Sequence, residues 1–317
     1  MAIIANTGAS KKTARADDAG LVAVLMGGNS AEREISLLSG QQVLSGLRAA
    51  GIDAVSIDAA DKLVEQLLTV KPTRVFNMLH GRGGEDGAVQ GLLCSMDIPF
   101  TGSDVLASAL AMDKMKSKLL WRQIGLNTAD FVLLSDKSNW SAIIKDLGKV
   151  VVKPVNEGSS IGMSLAASPD DLRAAYEQAI LYDSVVLAER YIDGDEFTVP
   201  VLQQSTLPAI QLQTDRAFYD FDAKYVANDT RYICPVNLAA DDLNRMNMLA
   251  LDAFNSLGCE GWGRIDIMQD RDGEFYLLEV NTIPGMTDHS LVPMSARQAG
   301  ISFEDLLLQI LFAKAMN

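Results

Sequence analysis

The stretch Trp262-Gly263-Arg264-Ile265-Asp266-Ile267-Met268-Gln269-Asp270-Arg271-Asp272-Gly273-Glu274-Phe275-Tyr276-Leu277-Leu278-Glu279-Val280-Asn281 reads as two strands folded about a tight turn. Asp-Gly between strand-like runs is a strong two-residue hairpin signal. With Asp272-Gly273 as the turn, Asp266 faces Glu279 and Arg264 faces Asn281. Strand side chains alternate, so these four share one face, and facing Cβ atoms lie about 4.5–5.5 Å apart. Two carboxylates held that close raise one another's pKa. A hard divalent cation resolves the conflict, because Mg2+ favours one or two carboxylates together with substrate phosphates and water. A lone Asp/Glu pair on an exposed hairpin is usually incidental. Here Arg264 on the same face and the break Thr282-Ile283-Pro284-Gly285 just beyond favour a metal site.

Strand and helix alternate at the other end of the chain. Leu21–Met26 is a short apolar run closed by Gly27-Gly28, and a helix is expected from Ala31 to Gly51, with Ile35, Leu38, Leu44 and Leu47 at helical spacing. Val75–Leu79 is a second buried strand and leads into the glycine-rich loop Gly81-Arg82-Gly83-Gly84. This alternation predicts an open parallel sheet with ligands at the carboxyl ends of its strands, where Asn29–Glu32 and His80–Asp86 fall. Asn29 and Glu32 also have capping-box spacing, which a helix start alone explains. The middle reads as a helix over Ser103–Ile124, a strand at Val150–Lys153, a turn at Gly158–Gly162 and a returning strand at Met163–Ala166. Val185–Tyr191 and Glu196–Leu202 read as a strand pair, followed by helices at Asp241–Leu257 and Phe303–Ala315.

At 317 residues the chain divides into two or three domains of roughly 100–150 residues each. The expected seams lie near 102 and 188. They give a flexible tail over 1–20, a Rossmann-like N-terminal domain over 21–102, a central unit over 103–188 and a C-terminal unit over 189–317. The tail lacks the apolar stretch of a signal peptide, and no run approaches the roughly 18–20 apolar residues that span a bilayer. Net charge −14 disfavours a general nucleic-acid binder. Three scattered cysteines and two histidines leave no disulfide framework and no His-rich zinc site, and point to a reducing, cytoplasmic compartment.

Lys153 ends its strand just ahead of Gly158-Ser159-Ser160-Ile161-Gly162, where glycine and serine let phosphate oxygens approach backbone N–H and hydroxyl donors. No GxxxxGK[ST] occurs and no GxGxxG follows a strand, so P-loop NTPases and dinucleotide dehydrogenases are disfavoured. Glu189 and Glu196 bracket a short apolar strand, and the bland reading of each is a solvated strand end.

The chain resembles the D-alanine–D-alanine ligases of the ATP-grasp superfamily, an α/β (α+β) architecture in which two domains clasp ATP beside an N-terminal open parallel sheet. The resemblance runs in order from Leu21 to Ala313. It rests on Gly27-Gly28-Asn29-Ser30-Ala31-Glu32-Arg33-Glu34, Leu79-His80-Gly81-Arg82-Gly83-Gly84-Glu85-Asp86-Gly87, Met112-Asp113-Lys114, Val152-Lys153-Pro154, Glu157-Gly158-Ser159-Ser160, Ala223-Lys224-Tyr225, Gly263-Arg264-Ile265-Asp266 and Glu279-Val280-Asn281-Thr282-Ile283-Pro284-Gly285-Met286-Thr287. Each is weak alone, and their joint order is specific.

The resemblance implies joining of two D-alanines through an acyl phosphate, with release of ADP and phosphate, for peptidoglycan synthesis. It implies ATP and two Mg2+ (or Mn2+) ions, a cytoplasmic homodimer, and neither membrane nor nucleic acid as partner. Lys114, Lys153 and the Ser160 loop then meet ATP phosphates, Glu189 and Ile192 the adenine, Glu196 the ribose, and Lys224 the transferred phosphoryl group. Asp266, Glu279 and Asn281 hold the ions. Glu32 takes the first ammonium, linked through Tyr225 to Ser159, with His80 beside it. Arg264 and the Gly285 N–H form an oxyanion hole, and Ser290 and Leu291 receive the second D-alanine. Arg190 stands where many relatives carry Lys. The nearest rival reading is a D-alanine–D-lactate ligase or another carboxylate–amine ligase of the superfamily; Tyr225 fits the dipeptide-forming pattern.

Overall fold

A computed structural model describes residues 18–158, 161–213 and 230–313. Ser159, Ser160, Lys224 and Tyr225, and most of the N-terminal tail, lie outside the described residues.

Strands β1 (Val22–Met26), β2 (Ala54–Asp58) and β3 (Arg74–Asn77) form a parallel sheet in the order β2-β1-β3. Helix α1 (Arg33–Ala49) joins the first two strands. All five residues of β1 are buried, as a central parallel strand covered on both faces requires. Helix α1 buries Ser36, Ser39, Gly40, Val43, Leu44, Gly46 and Leu47. Leu38, expected on that stripe, is 58% exposed, because small residues occupy the inner face where neighbouring elements come close. One of those neighbours is the last helix, Phe303–Leu311: a Cβ at Gly46 would lie 2.6 Å from Leu307. The helix Phe303–Leu311 thus packs on α1. Helix α2 (Leu63–Val70) and helix α3 (Ala88–Ser95) complete this region.

The helix expected over Ser103–Ile124 is two helices, α4 (Val105–Met112) and α5 (Lys114–Gln123). Asp113 breaks them. Its backbone is extended, and its side chain accepts a hydrogen bond from the Lys116 N–H at 2.9 Å, starting a new helix. That cap makes Lys114 the first residue of α5.

Strands β4 (Phe131–Leu134), β5 (Val150–Pro154), β6 (Ser164–Ala166) and β7 (Val186–Arg190) form an antiparallel sheet ordered β4-β7-β5-β6, with α6 (Trp140–Leu147) and α7 (Pro169–Ala179) against it. The next strand, β8 (Gly194–Leu202), does not pair with β7 as the sequence suggests. It enters a six-stranded sheet with β9 (Ser205–Thr206), β10 (Ile210–Gln213), β11 (Arg231–Ile233), β12 (Trp262–Asp270) and β13 (Phe275–Asn281). The two apolar runs are consecutive in sequence, but the chain crosses between sheets over the few residues that separate them. Helices α8 (Ala240–Ser256), α9 (Leu291–Gln298) and α10 (Phe303–Leu311) follow. Among the described residues no helix is long and apolar enough to cross a membrane.

Candidate active site

The hairpin β12–β13 holds the expected facing pairs, Arg264 opposite Asn281 and Asp266 opposite Glu279. It reaches them by a different route. Near the turn, Ile267 faces Leu277 and Gln269 faces Phe275. The Asp270 N–H donates to the Glu274 carbonyl at 2.9 Å, closing a three-residue loop, Arg271-Asp272-Gly273, with Gly273 at φ +86°. Glycine suits that left-handed position because it has no Cβ to clash. A register shift beyond Ile267 then takes in Leu278 as an extra residue. Without that bulge Leu278 would face Asp266, and Glu279 would move to the apolar side beside Ile265.

Asp266 is 6% exposed and fully bonded. Its Oδ1 accepts from the Thr198 hydroxyl at 2.6 Å and from Arg264 Nε at 2.8 Å. Its Oδ2 accepts from Arg264 Nη2 at 2.7 Å and from Asn281 Nδ2 at 3.1 Å. Glu279 pairs with Lys114 Nζ at 3.2 Å, and the same ammonium donates to the Glu157 carbonyl at 2.7 Å. Each carboxylate of the pair therefore carries a protein cation.

Among the described residues no three His, Cys, Asp or Glu side chains cluster as a ready-made metal cage. Asp266, Glu279 and Asn281 form instead a hard oxygen set of two carboxylates and an amide. Such a set fits a divalent ion that completes its shell with phosphate and water.

A cleft runs from this face past Lys114, Arg264, Glu279 and Asn281 to Glu32, His80, Glu85, Gly158, Gly285, Thr287, His289, Ser290 and Leu291. It brings together nine of the expected residues from distant parts of the chain. Glu32 starts α1, but no side-chain cap forms there, and Asn29 Nδ2 donates to the Ala60 carbonyl at 3.2 Å. The capping box is absent, and Glu32 lines the cleft: Cβ atoms built at Gly81 and Gly158 would lie 2.7 and 2.8 Å from its Oε2. His80 is 6% exposed, and burial pulls its pKa down to about 4 against a backbone hydrogen bond at Ile283. Its Nε2 has no hydrogen-bond partner among the described residues. Ser290 caps α9 by backbone alone, since its hydroxyl accepts from the Thr287 N–H at 2.9 Å and lies 2.9 Å from the Thr287 hydroxyl.

Glu85, given no role by the sequence, accepts from the Gly81 N–H at 2.7 Å. Withdrawal from water and then the charge of Glu32 push its pKa up to about 8.

The expected nucleotide residues form a second group. Glu189 on β7 is 2% exposed, so it is no solvated strand end. Its carboxylate holds Lys153 of β5 on one oxygen and Lys118 of α5 on the other. Burial alone would raise its pKa, yet the two lysines outweigh burial and lower it. Lys118 is fully buried and donates to Thr128 Oγ1 at 2.7 Å and to the Leu277 carbonyl at 3.0 Å. Burial pulls its pKa down to about 8 against the attraction of Glu189. Lys118 is not among the residues expected from the sequence. Its signal was available: it lies four residues after Lys114, on the same face of one helix. Ile192 is 9% exposed beyond β7, Glu196 lies on β8, and Arg190 is exposed against Asp130 at 3.3 Å.

The models of the D-ala D-ala ligase N-terminus and C-terminus match residues 59–103 and 120–312. The D-alanine–D-alanine ligase of Saccharophagus degradans is 53% identical over 92% of this chain and 93% of that protein. The crystal structure of the Bacillus anthracis D-alanine–D-alanine ligase superposes with a TM-score of 0.84 at 35% identity, covering 93% of this chain and 97% of that one. Its complex with ATP gives 0.82 at 33% identity with the same coverage. Motif order, hairpin face and sequence identity converge along nearly the whole molecule, and the chain belongs to the D-alanine–D-alanine ligase family.

Proposed function

We propose that this chain uses ATP to join two D-alanines into D-alanyl-D-alanine, an activity that serves peptidoglycan precursor synthesis. The observation that carries the reading is the cleft, in which Glu32, Lys114, Arg264, Glu279, Asn281 and Ser290 meet although they come from distant parts of the chain. In the reaction, ATP phosphorylates the carboxylate of one D-alanine. The amine of the second attacks the acyl carbon, and the tetrahedral intermediate expels phosphate. Positioning and charge neutralisation supply most of such a rate.

Glu32 holds the first ammonium, and Tyr225 and Ser159 extend that link. His80, neutral at physiological pH, offers a hydrogen bond without adding charge. Arg264 and the Gly285 N–H receive the oxyanion. A Cβ at Gly285 would lie 3.0 Å from the Ser290 hydroxyl, so glycine keeps that N–H approachable. Ser290, at the start of α9, receives the second carboxylate, where helix N–H groups and dipole favour an anion, with Leu291 beside it. Lys114, Lys153, Ser160 and Lys224 face the phosphates. Glu189, Ile192 and Glu196 hold the nucleoside. Asp266, Glu279 and Asn281 would hold two Mg2+ or Mn2+ ions, which would neutralise phosphate charge when bound. Domain seams near 102 and 188, a homodimer and a cytoplasmic location belong to the same reading.

The test supplies ATP, Mg2+ and D-alanine alone and measures phosphate release together with dipeptide. Turnover that requires an added hydroxy acid such as D-lactate would overturn the dipeptide reading.

A further inference from the structure

Glu189 has two lysine partners of different kinds. Lys118 cannot move without cost: it is fully buried, and its three N–H donors are all used, by Glu189, Thr128 and the Leu277 carbonyl. Those contacts tie α5 to the central sheet and to β13, two residues from Glu279. Lys153 is held by Glu189 alone among the described residues, and its side chain keeps 10% exposure. One carboxylate thus holds a cation with two further partners and a cation that has only this carboxylate among the described residues.

We infer that Lys118 is a positioning residue for the nucleotide, a permanent counter-ion to Glu189 that releases Lys153 to the phosphates of ATP. The inference rests on the proposed use of ATP at this site. A buried carboxylate that loses its only cation is strongly destabilised. With Lys118 in place, Lys153 can turn away and Glu189 stays paired. Without it, Lys153 is the sole counter-ion, and each phosphate contact strands a buried charge.

Two variants test this. Lys118→Gln keeps two N–H donors for Thr128 and Leu277 but removes the charge, and Lys118→Met removes both. Calorimetric titration of the Mg2+-loaded protein with a non-hydrolysable ATP analogue and with adenosine separates the phosphate contacts from the adenine pocket. The expected result is an affinity for the ATP analogue weakened about 30-fold, a factor equivalent to about 2 kcal/mol, with adenosine affinity within twofold of wild type. In the Glu189→Gln background, where Lys153 is no longer trapped, adding Lys118→Gln should cost less than threefold. Equal losses for analogue and adenosine, or no loss, would overturn the inference. If Lys118→Met fails to show a cooperative melt, Lys118→Gln decides. A wild-type protein that binds the ATP analogue but makes no dipeptide defeats the proposed reaction and leaves this inference standing.

Discussion

Protonation of His80 should destabilise the folded protein across a defined pH window. The ring is buried to 6% exposure, and burial holds its pKa near 4 rather than the ordinary 6.5. The unfolded chain takes up this proton as pH falls through 6.5, while the folded chain refuses it until about pH 4. Stability from this group is therefore complete above about pH 6.5, falls as pH falls, and is lost by about pH 4. A shift of about 2.5 units corresponds to about 3 kcal/mol, with a slope approaching 1.4 kcal/mol per pH unit inside the window. Denaturant unfolding of wild type and His80→Gln at half-unit steps from pH 7.5 to 4 isolates the effect, because other titrations cancel in the difference. The wild-type advantage should shrink by about 3 kcal/mol over that range. The chain has one other histidine, the exposed His289, so NMR titration of the ring signals gives an independent value with little ambiguity. A flat difference curve, or a His80 ring that titrates near 6.5, refutes the reasoning.

Three further outcomes follow from other contacts. Asp266→Ala should cost more activity than the about 10–100-fold typical of outer partners of a metal ligand, and should lower stability by about 3 kcal/mol by removing the carboxylate that takes two hydrogen bonds from the mostly buried Arg264; full activity removes the metal assignment. Thr198→Val deletes a 2.6 Å hydrogen bond to the Asp266 carboxylate, so the denaturant midpoint at pH 7 should reflect a loss of about 1.5–3 kcal/mol. Gly194→Ala would place a Cβ 1.8 Å from the Gln269 carbonyl, where β8 and β12 pair and backbone cannot yield. A loss of about 3 kcal/mol in thermal or chemical melts is expected, and a wild-type melt would contradict the close approach.

The hairpin shows both the reach and the limit of reading from sequence. Alternation put Arg264, Asp266, Glu279 and Asn281 on one face, and the structure agrees. The assumed two-residue turn was wrong, and so was the regular strand. A loop longer by one residue and a bulge at Leu278 cancel, so the expected facing pairs are the observed ones. Turn chemistry is local and legible, whereas a bulge is set by packing on a neighbouring strand that the local sequence does not name. The same limit explains the strands at 186–190 and 194–202, which are adjacent in sequence but lie in different sheets. It also explains Glu189, whose burial depends on Lys118 and Lys153 arriving from elsewhere. The motif residues of the cleft were legible because their chemistry is carried by short ordered segments. The pairing of charges was not, because it exists only between segments.

That pairing gives the site its internal logic. Arg264 lies on Asp266, Lys114 on Glu279, and Lys153 on Glu189. All six side chains are largely withdrawn from water, so none could be left without a partner at small cost. Each acid is neutralised by a cation that the proposed reaction needs elsewhere, on phosphate or on the oxyanion. Binding of an anionic nucleotide is then an exchange of partners rather than the burial of new net charge, and the cost of assembling the site falls on folding instead of on each turnover. The exchange predicts an order of sensitivity. Removing a cation, as in Lys114→Met, should weaken nucleotide binding and also destabilise the empty protein, because Glu279 loses its ion pair. Removing the acid as well, as in Lys114→Met with Glu279→Gln, should restore stability without restoring binding. Melts that show no such recovery would mean that the pair is incidental to the empty state, and the exchange argument would fail with it.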